Sequence, residues 1–230
     1  GLGIMGKAMA SHLVPHMGRE MEDFYVYNRT SEKADSLVQK GARFAESPES
    51  LGRHSDVVMT MLSRPEVVRS MALGETGFLK EMGPGSVWID FSTVGPKFSR
   101  EMAMICHEKG IRYIDAPVAG SRKPAEQGTL TLLVGASESE WKSLQKEIGF
   151  IFEAIGQKTV PCGEVGKASA LKMVVNMQLG IACAAFSEAM EFGEGLGFNR
   201  QMLLDVFESH PVVAPFLGLK KEKFLKGEYD

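Results

Sequence analysis

Gly1-Leu2-Gly3-Ile4-Met5-Gly6 is a G-x-G-x-x-G turn at the head of a helical pattern running to about residue 17, and its reading decides the fold class. In a doubly wound α/β unit the first glycine makes the tight turn and the second lets backbone approach a pyrophosphate. The third lets helix pack on strand, with the helix N-terminus facing the phosphates. Gly1, Leu2, Gly3, Ile4, Met5 and Gly6 are therefore expected to cradle a dinucleotide. A strand should come before such a turn. The sequence opens on the glycine itself, and both ends read as truncated.

Working outward, Asp23-Phe24-Tyr25-Val26-Tyr27 is a strand-like run that ends in Asn28-Arg29-Thr30, where the adenosine ribose should lie. A carboxylate at this place would favour the ribose hydroxyls of NAD. A guanidinium instead grips a 2′-phosphate through charge-assisted hydrogen bonds, and the neighbouring amide and hydroxyl can add to it. Asn28, Arg29 and Thr30 thus point to NADP(H). The plainer alternative is that Arg29 is a solvated loop residue ahead of the helix start at Ser31-Glu32-Lys33. The nearly all-apolar Val57-Val58-Met59-Thr60-Met61-Leu62 reads as a central strand covered on both faces, whose end brings Met61 and Leu62 to the cofactor edge.

With 230 residues the chain can hold one large domain and the start of another. A net charge of -3 without a basic block argues against nucleic acid as a partner. Cys106, Cys162 and Cys183 are too scattered for a zinc site and odd in number for a disulfide framework, which fits a reducing, cytoplasmic setting, an organelle staying open. The longest apolar stretch, 173–186, is interrupted by Asn176 and Gln178 and reads as too short and polar for a bilayer span.

Strand and helix patterns alternate as a parallel sheet requires: strands near 24–28, 43–45, 56–62, 86–90, 112–116 and 129–134, helices near 31–40, 65–71, 95–109 and 139–148. After Cys162 the pattern changes. From about 166 to 195 the chain reads as one helix, apolar on nearly every side and therefore expected to be buried between two domains. Along it Ser169, Lys172 and Asn176 are three and four residues apart, a polar stripe on one face. Two readings of Lys172 stand. Its stem packs while the ammonium reaches water, or it faces a cleft and exchanges a proton with a substrate oxygen while Asn176 hydrogen-bonds nearby.

Three motifs in order, the glycine turn, Asp115-Ala116-Pro117-Val118-Ala119-Gly120, and Gly163-Glu164-Val165-Gly166 leading to Lys172 and Asn176, resemble those of the β-hydroxyacid dehydrogenases. That family includes 3-hydroxyisobutyrate dehydrogenase and the glyoxylate and succinic semialdehyde reductases, with 6-phosphogluconate dehydrogenase as a relative. The resemblance implies a Rossmann-type NADP-binding domain over 1–162. An all-helical substrate and dimerisation domain begins over 163–230, so a homo-oligomer is expected. It implies Lys172 as general acid or base without a metal, and Asn176 orienting the substrate. Ala119, Gly120 and Ser121 would hold the substrate carboxylate, with Arg122 and Lys123 close behind, and Thr93 would lie between nicotinamide and substrate. By itself, Thr93 also reads as a helix cap ahead of Gly95-Pro96.

The chain departs from the family pattern at Ala119, where a serine is common, and at Ala168, where many relatives carry glycine. The loop at Ser121-Arg122-Lys123 and the signal at Asn28-Arg29-Thr30 look more like the glyoxylate and succinic semialdehyde reductases than the 3-hydroxyisobutyrate enzymes. His107 and His210 read as structural, and the segment 211–215 reads as a helix break able to line a pocket.

Overall fold

The structure is a computed structural model that describes residues 1–210, 213, 214, 216 and 225. Of the segment expected to break a helix, Pro211, Val212 and Pro215 lie outside the described residues. The chain forms two compact units, Gly1–Met173 and Val174–Asp230.

In the first unit the helix after the glycine turn, α1, spans Ile4–Leu13, and Pro15 converts its last turn into a 3-10 turn, Val14–His16. Two short parallel strands, β1 (Tyr25–Val26) and β2 (Arg43–Phe44), flank a 3-10 turn and α2 (Asp35–Val38). After α3 (Pro48–Arg53) come β3 (Val57–Thr60), α4 (Pro65–Leu73), β4 (Val87–Asp90), α5 (Pro96–Glu108) and β5 (Arg112–Asp115). Strands β3, β4 and β5 are parallel, in a register that aligns Thr60, Asp90 and Asp115 in one row at their carboxyl ends. Beyond β5 the sheet is no longer purely parallel. β7 (Leu130–Gly135) pairs antiparallel with β5 and with the short β6 (Val118–Ala119), and β8 (Gly156–Gly163) pairs parallel with β7. Between these strands lie α6 (Arg122–Glu126) and α7 (Glu138–Ile155).

Alternate side chains of the parallel strands face opposite cores, as the period of two demands. Ile89, Phe91 and Ile114 join Met9 of α1, Leu37 of α2 and Trp141 and Leu144 of α7 on one face. Trp88 and Tyr113 join Val68, Met102 and Cys106 of α4 and α5 on the other. The sheet is thus covered on both sides, which makes the unit a Rossmann-like doubly wound layer.

The 29-residue α8 (Lys167–Gly195) and then α9 (Arg200–Ser209) complete the described elements. Two expectations about α8 need correction. Its apolar side chains are not buried along its length: Met173, Val174, Met177 and Ile181 are 51%, 63%, 68% and 52% exposed. Among the described residues it is buried toward its ends, at Ala168 and Ser169 and at Phe186, Met190 and Gly193, where Leu204 of α9 joins Phe186 and Met190. The helix is also, by length and composition alone, long and apolar enough to cross a membrane. The apolar run in the sequence stops at polar letters, whereas the helix continues through them.

Candidate functional site

The glycine turn fulfils the steric roles its spacing implies. A Cβ at Gly6 would lie 2.0 Å from the carbonyl oxygen of Gly1, and one at Gly1 would lie 2.7 Å from Leu62 Cδ2 and 3.1 Å from the carbonyl oxygen of Met61. At Gly3, the N-cap of α1, a Cβ would meet nothing within 4 Å. Helix and sheet edge therefore close on Gly1 and Gly6, while Gly3 faces open space at a helix N-terminus, as an approaching pyrophosphate requires. The Leu2 N–H donates to Asn28 Oδ1 at 2.8 Å, and Asn28 Nδ2 donates to the Thr30 carbonyl at 2.8 Å. The Asn28 amide, expected to face a phosphate, is engaged in tying the loop after β1 to the glycine turn. Arg29 and Thr30 stand exposed beside it.

An open groove of about 550 Å³ starts at Leu2, Gly3 and Ile4 and is lined by Lys7, Lys33, Lys40 and Arg122 with one carboxylate, Glu126. None of those four cations has an ion-pair partner among the described residues. Sequence reasoning passed over Lys7, Lys33 and Lys40, because their side chains converge only when α1 and the segment around α2 pack side by side. The groove includes neither Thr93 nor Ser121 nor Lys172.

Beyond the aligned ends of β3 and β4, the two loops that follow, where Met61, Leu62 and Thr93 are expected to meet a cofactor, are locked to each other. Ser92 Oγ accepts the Leu62 N–H at 2.9 Å; Asp90 Oδ1 accepts the Thr60 hydroxyl at 2.8 Å and the Ser92 N–H at 3.0 Å. Trp88 Nε1 donates to Thr60 Oγ1 at 2.8 Å and so orients that hydroxyl. Thr93 is left exposed at the tip, and the N-cap of α5 is Gly95 rather than Thr93.

Asp90 is 1% exposed, and burial pushes its carboxyl up to about 6, against the pull of its Ser92, Thr60 and Tyr113 donors. Its folded-state pKa thus lies above the ordinary value of 3.8, so the folded protein holds this proton more tightly than the unfolded chain. The resulting stabilisation is fully present below pH 3.8 and is lost as the pH rises through about 6, a change of about 3 kcal/mol. Asp90→Asn removes the titration while keeping an acceptor oxygen. Urea unfolding at pH 5 and pH 7 should show wild type gaining stability relative to the variant at the lower pH; an unchanged difference would rule out the buried titration.

Ala119 ends β6, Gly120 has φ +132°, and Ser121 caps α6 with its side chain free of a capping bond; Gly120 and Ser121 are exposed and Ala119 is half-buried. The carboxylate of Asp115 in the same motif is entirely buried and committed elsewhere: Oδ1 accepts the Gly166 N–H at 2.8 Å and Oδ2 the Ser169 N–H at 2.7 Å. Ser169 turns inward as well, its hydroxyl 2.9 Å from that of Ser99, so it leaves the polar stripe. Ala168 is fully buried, so its methyl packs inside the unit.

Lys172 is half-buried, without a polar partner among the described residues, and burial lowers its ammonium below the ordinary 10.5. An unpaired lysine with a lowered pKa has the properties of a proton-transfer group. Asn176 is exposed, four residues on along the same helix. His107 and His210 stand exposed at the ends of α5 and α9.

Residues 1–163 match the NAD binding domain of 6-phosphogluconate dehydrogenase. The chain belongs to that family. Similar proteins include human cytokine-like nuclear factor N-PAC, 31% identical over all of this chain but over only 40% of the relative. The chloroplastic glyoxylate/succinic semialdehyde reductase 2 of Arabidopsis thaliana is 33% identical over 100% of this chain and 62% of the relative. A solved structure of Psf3 in complex with NADP+ and 2-OPP superposes with a TM-score of 0.84 at 26% identity, covering 100% of this chain and 78% of that one. The chain thus spans about two fifths of the length of the N-PAC relatives it matches. In this member of the 6-phosphogluconate dehydrogenase NAD-binding family Gly3 is open at the mouth of the glycine turn and Gly6 is closed against Gly1.

Proposed function

We propose that the protein reduces a small semialdehyde acid, glyoxylate or succinic semialdehyde, with NADPH, and that Lys172 is the proton donor. The observation that carries this reading is the half-buried Lys172, without a polar partner among the described residues and with a lowered pKa, on the helix anchored to the carboxyl end of β5. Likeness to the Arabidopsis reductase supports the substrate class. NADPH supplies the hydride. Gly1 to Gly6 and Thr93 hold the dinucleotide, and Met61 and Leu62 border it. Arg29 grips the 2′-phosphate, with Lys33 adding charge from the groove. The backbone at Ala119, Gly120 and Ser121 receives the substrate carboxylate, and Asn176 orients the substrate. Negative charge developing on the carbonyl oxygen is stabilised by the Lys172 ammonium, which then gives up its proton and ends neutral. Reduction should therefore decline as pH rises through the lowered pKa of Lys172, and oxidation of the hydroxyacid should rise.

NADPH consumption with glyoxylate and with succinic semialdehyde, and NADH as control, tests the reading. Turnover on either acid supports it. Tight NADPH binding without turnover on any semialdehyde acid overturns it in favour of a non-catalytic dinucleotide-binding domain. That second reading is favoured by likeness to relatives named as nuclear factors and by Ala119 in the place of a serine. For the cofactor, Arg29→Ala should weaken NADPH binding about 10- to 100-fold, the worth of one or two charge-assisted hydrogen bonds, and leave NADH unchanged. Fluorescence titration with both nucleotides decides this; equal effects on the two would remove Arg29 from the phosphate site.

A further inference from the structure

The first N–H groups of a helix have no partners within it and are ordinarily capped by the residue just before it. At the start of α8 that position is Gly166, which has no side chain and has φ +90°. The acceptor arrives instead from the sheet. Asp115, last residue of β5 and 0% exposed, takes the Gly166 and Ser169 N–H groups, one on each carboxylate oxygen, across 51 and 54 residues of sequence. The fold makes room for it. Gly135 of β7 lies opposite Asp115, and a Cβ there would sit 2.0 Å from Asp115 Oδ1. A second tie comes from α5, where Ser99 and Ser169 share a hydrogen bond, both hydroxyls being buried. Lys172 follows Ser169 by three residues, less than one helical turn, so the two bonds that fix Ser169 also fix the base of the Lys172 side chain.

We infer that Asp115 is a positioning residue for the proton donor: by holding the first turn of α8 to the end of β5 it sets where Lys172 stands relative to the cofactor edge. The same bonds withdraw Asp115 from the substrate, since both its oxygens are occupied and its side chain is closed to solvent. The substrate carboxylate is then left to the backbone and side chains after Val118. The inference rests on the reading of Lys172 as proton donor, and its test separates the two.

Asp115→Asn keeps the size of the side chain but replaces one acceptor oxygen with an NH2 donor, which then faces one of the two N–H groups. Displacement of a reacting group by about 1 Å can slow a reaction about 100-fold, so single-turnover NADPH oxidation should slow about 10- to 100-fold in this variant. NADPH affinity per folded molecule should be unchanged. The deciding comparison is the same substitution in a Lys172→Ala background, where the further loss should fall below about twofold, because no ammonium is left to misplace. Equal losses in both backgrounds, or a loss that follows the loss of NADPH binding, would overturn the inference and leave Lys172 standing. Full turnover by Lys172→Ala alone would instead sink the underlying reading. Ser99→Ala, which removes only the second tie, runs the same comparison with a smaller expected loss and decides the matter if Asp115→Asn does not fold.

Discussion

Lys172→Ala should lower the rate of semialdehyde reduction about 1,000-fold, within the range that general acids supply and equivalent to about 4 kcal/mol of barrier. The affinity for NADPH should stay within about twofold, because the residues assigned to the dinucleotide are the glycine turn and the strand ends, and Lys172 lies on another element. Stability should not fall, since a half-buried ammonium without a polar partner among the described residues is a burden to the fold rather than a support. Turnover against substrate concentration, NADPH titration and thermal unfolding of the same preparation read the three effects apart. A variant that turns over like wild type would take Lys172 out of the chemistry. A variant that loses turnover and NADPH binding together would place it in the cofactor site instead.

The second large effect belongs to the glycine turn, where neighbouring glycines should respond differently. Gly6→Ala places a methyl about on top of the Gly1 carbonyl oxygen, a backbone atom that cannot step aside, so α1 must move away from the turn. Overpacking of this kind costs roughly 1–3 kcal/mol of stability, and the displaced helix N-terminus should weaken NADPH binding by more than about 100-fold. Gly3→Ala meets nothing within 4 Å among the described residues, and its extended backbone, φ -70° and ψ -170°, suits alanine. It should fold with a loss below about 1 kcal/mol, the cost of a poorer helix cap. Its methyl nevertheless occupies the space the pyrophosphate needs, so NADPH binding should also weaken about 100-fold. Melting temperature and NADPH titration on the two variants separate packing from ligand space. Wild-type affinity in Gly3→Ala would mean the phosphates lie elsewhere.

Much of this was legible along the chain. The alternating strands and helices through Ile114 are where the patterns placed them, because apolar periodicity records which face of each element is covered. The short α3 was overlooked despite a local signal: Pro48 opens it and Ser47 caps it, accepting the Ser50 N–H at 3.0 Å. Helix α7 runs to Ile155, past the expected stop, with a kink at the non-helical Ile148. Strand β8 escaped notice because its residues, Gln157 and Lys158 among them, are partly exposed and do not alternate. The antiparallel turn at β6 and β7 was not foreseen, since hydrophobic spacing sets the period of a strand but not its direction.

At the site the division is sharper. From sequence alone came the glycine turn, a guanidinium at Arg29 where a carboxylate could stand, and the anomaly of a lysine in an apolar helix, each contained within a short stretch of chain. Tertiary structure alone decided that both carboxylate oxygens of Asp115 go to the first turn of α8, that Ser169 turns inward to Ser99, and that Asn28 holds the glycine turn in place. It also decided that the apolar middle of α8 stands exposed in this chain. Local patterns carry short-range geometry, whereas these outcomes depend on which polar groups the sheet register and helix packing bring within hydrogen-bond distance across 26 to 70 residues of sequence.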